Sequence, residues 1–174
     1  MKETEIIPTQ VERFFPEDDI IVSKTDIKGH ITYANQTFLK IAGYTEAEIL
    51  GKAHNVIRHP DMPRCVFKLL WDTLRMRQEI FAYVKNMAKN GDHYWVFAHV
   101  TPTFDAHDQV IGYHSSRRVP ERRQVDLFMD IYRQLLEEER RFPDWRQGME
   151  SSTQMLVNLL ASKHMDYEEF VFSV

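Results

Sequence analysis

Hydrophobic and polar positions change their rhythm along this chain, and each rhythm predicts different elements. The first stretch is β-like: Ile20-Ile21-Val22-Ser23 and His30-Ile31-Thr32-Tyr33-Ala34 flank Asp26-Ile27-Lys28-Gly29. Two β-branched runs around a glycine that can supply positive φ predict a hairpin. Short helical pieces follow over residues 36–41, stopped by Gly43, and 45–50, where Thr45 and Glu48 have capping-box spacing and Gly51 closes the turn. Residues 64–77 place Val66 or Phe67, Leu70 or Trp71, and Leu74 on one face, which predicts an amphipathic helix opened by Pro63. Three longer strands are then expected over residues 80–87, 93–104 and 110–118, separated by Lys89-Asn90-Gly91-Asp92 and by Phe104-Asp105-Ala106-His107-Asp108. The pattern predicts an α+β fold: an antiparallel five-stranded sheet with short helices on one face and a cavity between them.

The flanks read differently. Ile7, Val11, Phe14 and Phe15 recur at roughly helical spacing before Pro16, suggesting a helical N-terminal cap. Beyond Pro120 a helical stripe runs through Val125, Phe128, Tyr132, Leu135 and Leu136, with Glu137-Glu138-Glu139-Arg140-Arg141 as a solvated end and Pro143 as a break. A second helix is expected over 151–163 and a short capped turn over 166–169. The organisation implied is a cap over 1–19, a central domain over 20–119 and a helical extension over 120–174.

Composition narrows the function classes. The chain has 174 residues, 43% hydrophobic, enough for one cored domain and an appendage. A net charge of -4 with interspersed bases offers no basic face for nucleic acid. The single cysteine, Cys65, permits neither an internal disulfide nor a thiolate zinc cluster. The N-terminus lacks a signal-peptide run and no apolar run is long enough for a membrane span, so a cytoplasmic location is expected. No nucleophile elbow or phosphate-cradling glycine loop is present, and His54 and His59 lack the i, i+4 spacing of a helical metal pair, so neither an enzyme nor a metal site is expected.

Chemistry concentrates in Asn55-Val56-Ile57-Arg58-His59-Pro60-Asp61-Met62-Pro63, where a cation, an imidazole and a carboxylate fall within four positions. The prolines fix their own φ and push His59 and Met62 out of helical geometry, giving a stiff turn. These residues alone fit two readings, a solvated loop whose charges pair with one another or a site that aims its side chains.

Three blocks, Thr25-Asp26-Ile27-Lys28-Gly29-His30-Ile31-Thr32-Tyr33-Ala34-Asn35-Gln36-Thr37-Phe38, Gly43-Tyr44-Thr45 and Lys89-Asn90-Gly91-Asp92-His93-Tyr94-Trp95, resemble a PAS domain in order and spacing. The stretch from His54 to Pro63, together with Val84-Lys85-Asn86, is similar to the FAD-binding PAS sensor domain of bacterial aerotaxis receptors. That resemblance implies a flavin, FAD or alternatively FMN, and makes Asn35, Arg58, His59 and Asp61 candidate contacts. The chemistry suits it: Asn86 can meet the hydrogen-bonding edge of the ring, Arg58 the phosphates, and Trp71, Phe67 and Phe38 the apolar faces. Light-sensing relatives carry a reactive cysteine where this chain has His54, so photochemical adduct formation is not expected. By the same alignment Val96 and His114 replace two polar residues at the flavin edge, which would put His114 near the ring nitrogen that is protonated on reduction. Ile80 stands where those receptors have a tryptophan, with Phe81 beside it.

The function implied is a cytoplasmic redox or oxygen sensor, as in aerotaxis or energy taxis. The chain as given has no room for an output domain, so either its signal passes in trans to a partner protein such as a chemoreceptor, kinase or cyclase, or the chain is a sensory fragment of a longer protein; a homodimer is also open. Two alternatives stay open: a haem-binding gas sensor using His54, His59 or His114 as axial ligand, and a cofactor-free interaction module that docks through its C-terminal apolar stripes.

Overall fold

A computed structural model describes residues 6–174. The hairpin forms as β1, Ile21–Asp26, and β2, Ile31–Ala34. Next come α1, Gln36–Ala42, α2, Glu46–Ile49, a 3₁₀ turn, His54–Ile57, and α3, Arg64–Arg75. The three long strands are β3, Ile80–Met87, β4, His93–Phe104, and β5, Val110–Arg118. Three helices close the chain: α4, Arg122–Arg140, α5, Trp145–Ser162, and α6, Tyr167–Ser173.

The five strands form one antiparallel sheet in the order β2-β1-β5-β4-β3. Alternation then decides what each side chain can do. Ser23 and Thr25, Tyr113, Ser115 and Arg117, Ala98 and Val100, and Val84 and Asn86 share the face that looks toward α3. The opposite face carries Phe81, Tyr83, Trp95 and Phe97 and is covered by the C-terminal helices. Tyr83 packs on Phe128, Trp95 on Tyr132, and Phe81 and Phe97 on Phe172. The Tyr132 hydroxyl donates to the Tyr83 carbonyl at 2.6 Å, so the polar tip of a buried ring is satisfied by the sheet itself. The apolar stripe of α4 therefore folds back on its own domain.

Local signals set the short elements. The Asn35 side chain accepts from Phe38 N at 3.0 Å as N-cap of α1, and Gly43 ends that helix in the left-handed region. Thr45 and Glu48 form the expected capping box on α2, and Asp166 with Glu169 forms another on α6, a full helix rather than a single turn.

Three flank expectations are corrected. Residues 6–15 are irregular, not helical, and run along the start of β4: Thr9 N donates to Gly91 O, His93 N to Val11 O and Arg13 N to His93 O. The unpaired backbone at the start of β4 recruits this segment, while Pro8 and Pro16 discourage helix at its ends. Helix α5 begins at Trp145, six residues before the expected start at 151, because the Asp144 carboxylate accepts from Arg146 N at 2.9 Å as its N-cap. Its first turns contact α4 through Gly148 and Ser152 rather than through large apolar groups, and a Cβ at Gly148 would collide with the Glu139 carbonyl. Glu139 itself is buried rather than solvated. Its carboxylate accepts from Cys65 N at 3.0 Å and from the Ser152 hydroxyl at 2.9 Å, and so caps α3, whose own N-cap is a proline. Among the described residues no helix is long and apolar enough to cross a membrane.

Candidate cofactor pocket

Between the α3-facing side of the sheet and α3 with the 3₁₀ turn lies a cavity of about 380 Å³, within the usual range for small-molecule sites. Its walls are mainly apolar: Ile57, Phe67, Leu70, Trp71 and Leu74 on one side, Val84, Ala98 and Val100 on the other. Trp71 meets Tyr113 edge-on at 5.4 Å, and Gly29, at φ 84°, lets the indole approach to where a Cβ would stand only 3.3 Å from it.

Polar groups enter this apolar slot at defined places. Asn86 brings an amide from β3, held because the backbone at Asn86 bridges the backbone at Arg58. The Arg58 guanidinium lies 4.0 Å from the centre of the Phe67 ring and has no carboxylate partner among the described residues. Burial, helped by the nearby Arg64 charge and opposed by Glu139, lowers its pKa, but an arginine so shifted is still a cation. Exposed Lys28 adds a second cation at the open side.

The deep end is the least expected part. Arg117 is 2% exposed, donates to the Ser23 hydroxyl and packs its guanidinium over Phe38, yet its Nε–H has no partner. Burial pushes its pKa down to about 10, with Tyr94 opposing, so it remains charged at neutral pH. No carboxylate neutralises it among the described residues. His54 Nε2 shares the same serine, at 3.0 Å from Ser23 Oγ. Burial and then the Arg117 charge push the His54 pKa down to about 3, so this imidazole is neutral. A buried cation with an unmatched donor is costly.

Of the eight residues singled out in the sequence, four line the cavity: His54, Arg58, Trp71 and Asn86. The other four do not. Asn35 spends its side chain on structure, accepting from Phe38 N and Val22 N and donating to Ile20 O. His59 is 1% exposed and packs edge-on against His93 at 5.8 Å, and Asp61 pairs with Lys85 Nζ at 2.8 Å. His114 is on the opposite sheet face, because Tyr113, Ser115 and Arg117 take the inward positions of β5. A one-residue offset in a strand moves a side chain to the other face.

Phe81 does not stand in for the tryptophan that Ile80 replaces. It stacks on His99 at 4.1 Å on the outer face. Phe67 is a cavity wall, whereas Phe38 is core beneath Arg117. Cys65 is buried, and burial pushes its thiol up to about 11. Sequence reasoning passed over Ser23, Ser115 and Arg117; the signal was polar residues at alternate inward positions of strands that had to face a core.

The comparisons agree with this architecture. A family model described as PAS fold matches residues 31–117. The chain is 38% identical over 127 residues to the Aerotaxis receptor of Escherichia coli (strain K12), covering 73% of this chain and 25% of that protein. It is 29% identical over 99 residues to the Nitrogen fixation regulatory protein of Klebsiella pneumoniae, covering 57% of this chain and 20% of that protein. It thus spans about a quarter or less of the length of these relatives. Among solved structures, the dark structure of the blue-light photoreceptor Aureochrome1 LOV superposes with a TM-score of 0.56 at 21% identity, over 63% of this chain and 82% of that one. With sheet order, cavity and family match in agreement, this chain belongs to the PAS family.

Proposed function

We propose that this chain is the sensory part of a signal-transduction protein, holding a flavin in the cavity between the sheet and α3 and reporting redox state or oxygen to a partner, as in aerotaxis. The observation that carries this is the deep end of the cavity, where the cation of Arg117 is buried without a counter-charge and with one donor unmatched. A purely apolar or cationic guest would leave that cost in place, whereas a guest that presents acceptor atoms to the guanidinium would offset it. The rest of the donor set fits a flavin: apolar walls for a ring system, the Asn86 amide for its polar edge, and Arg58 and Lys28 for phosphates. FAD is the flavin proposed, with FMN the alternative that the same two cations would also serve.

A bound flavin would supply reversible electron uptake. The chain's own part is to bind and orient it, to keep water from its faces with Trp71 and Phe67, and to hold a positive field at the buried end through Arg117. Neutral His54 keeps Ser23 oriented beside that charge. No turnover is required, and the response is a shift in the packing of α3, which Glu139 ties to α4 and α5.

The test is the absorption spectrum of purified protein reconstituted with FAD. Oxidised-flavin bands that bleach with dithionite are expected. Protein that stays colourless after exposure to both FAD and FMN overturns the reading. An intense haem band in place of the flavin bands would do so too, with His54 the cavity histidine to examine as ligand.

A further inference from the structure

Arg58, His59 and Asp61 are neighbours in sequence, but only Arg58 reaches the cavity. We infer that His59 and Asp61, with Lys85, form a clamp that fastens the 58–62 turn over the edge of β3, so that they serve cofactor retention as positioning residues and not as contacts. The inference rests on the flavin reading and assigns a role to Lys85.

Strand β3 is an edge of the sheet, and its outward backbone groups need partners. The turn supplies them: Arg58 bridges Asn86, and Lys85 N donates to the Met62 sulfur at 3.3 Å. Asp61 then closes the turn onto the strand through Lys85 Nζ, on a Lys85 side chain only 8% exposed. Removing Asp61 strands the buried Lys85 ammonium, whereas the half-exposed Asp61 carboxylate turns to water when Lys85 is removed and the turn loses its tie to the strand. Beneath this pair, His59 Nδ1 accepts the Asp61 N–H at 3.1 Å, two residues on. That is the hydrogen bond by which an Asn side chain makes a turn. Burial, with the Lys85 charge adding and Asp61 opposing, holds His59 below its ordinary pKa, so it is a neutral ring whose Nδ1 is free to accept. The geometry explains why the turn needs these groups even though their side chains lie off the cavity: sequence neighbours of Lys85 and His59, namely Asn86 and Arg58, are the ones that point in.

The experiment is FAD titration by flavin fluorescence on the full chain, with folding checked by circular dichroism. Asp61→Lys and Lys85→Asp should each weaken FAD binding at least about tenfold, and the charge-swapped double variant should recover to within about threefold of wild type. His59→Asn, which can reproduce the turn bond, should bind as wild type, whereas His59→Leu should not. If the swap fails to recover while Lys85→Asp alone binds normally, Asp61 touches the cofactor and the clamp is wrong. Equal losses in His59→Asn and His59→Leu would likewise overturn it. Should wild type take up no flavin, the flavin reading falls, and amide hydrogen exchange at Arg58 and Asn86 reads the clamp alone. Exchange there accelerates in each single charge reversal and slows again in the swap; unchanged exchange refutes the clamp.

Discussion

The two faces of the one sheet are treated in opposite ways. The outer face is packed dry: Phe128 lies against Tyr83, Tyr132 and Phe170, the Tyr132 hydroxyl donates to the Tyr83 carbonyl, and Phe172 of α6 packs on Phe81 and Phe97. The inner face is covered by α3 and the 3₁₀ turn and keeps a cavity of about 380 Å³ with an unneutralised cation at its end. Strands of similar composition thus yield one surface optimised for stability and one that tolerates a cost. On the proposed function, stability and binding are divided between the faces, as expected where a site carries polar groups that a core would exclude.

That contrast can be broken most forcefully on the packed side. Phe128→Ala removes a ring that is 1% exposed and should destabilise by about 3–5 kcal/mol in urea unfolding. A loss under about 1 kcal/mol would mean that the helices are loosely held and the faces do not differ.

The next effect should have the opposite sign. Arg117→Met replaces a buried unpaired cation by an apolar chain of similar length and should stabilise the cofactor-free protein by about 1–4 kcal/mol. The same change should weaken FAD binding and lower the midpoint potential of the bound flavin, since the field favouring added electrons is lost. Thermal unfolding with and without FAD, and a reductive titration, read both. A cofactor-free protein that is destabilised would show that Arg117 is there for the fold.

Between the faces, Glu139→Ala removes the acceptor of both Cys65 N and the Ser152 hydroxyl and should cost about 2–3 kcal/mol, whereas Glu139→Gln, which keeps an oxygen, should cost under about 1 kcal/mol. The comparison by denaturant unfolding measures how firmly the cavity wall α3 is tied to α4 and α5.

Acidification gives a graded effect that should be felt on the inner side first. The folded pKa of His54, about 3, lies below its ordinary value of 6.5, so between those pH values the unfolded chain binds a proton that the folded one excludes. Stability therefore rises with pH across that window and is lost as pH falls below about 6.5, by up to about 1.4 kcal/mol per pH unit for this group. His59, depressed by burial, acts in the same direction. A melting temperature lower at pH 5 than at pH 7, with the difference reduced in His54→Phe, is the expected result.

Much of this fold was legible in the residues. The limits of β3, β4 and β5 follow from alternation bounded by turn residues, and the caps of α2 and α6 follow from Thr45 and Asp166, whereas Asn35, a cofactor candidate by resemblance, turns out to cap α1. The site was legible in part. Arg58 and Asn86 were visible as chemistry suited to a ligand, but His59 and Asp61, equally suggestive in sequence, turn away. His114 failed for a sharper reason, since a strand position is worth nothing until its register is known and one step reverses its face. Glu139 looked solvated within a run of charges because nothing local announces that α3 begins beside it without a side-chain cap of its own.

The sequence by itself determined the PAS architecture, the turn between two prolines and the stock of candidate ligands, because each depends on local propensity, spacing or residue type. Tertiary structure alone decided which of those ligands share a cavity. It set Arg117, Ser23 and His54 together from positions 94 residues apart at the widest, and moved His59, Asp61 and Lys85 into a clamp behind the wall. The physical reason is that a side chain's environment is fixed by strand pairing and by what covers each face, and neither is written in the residue that experiences it.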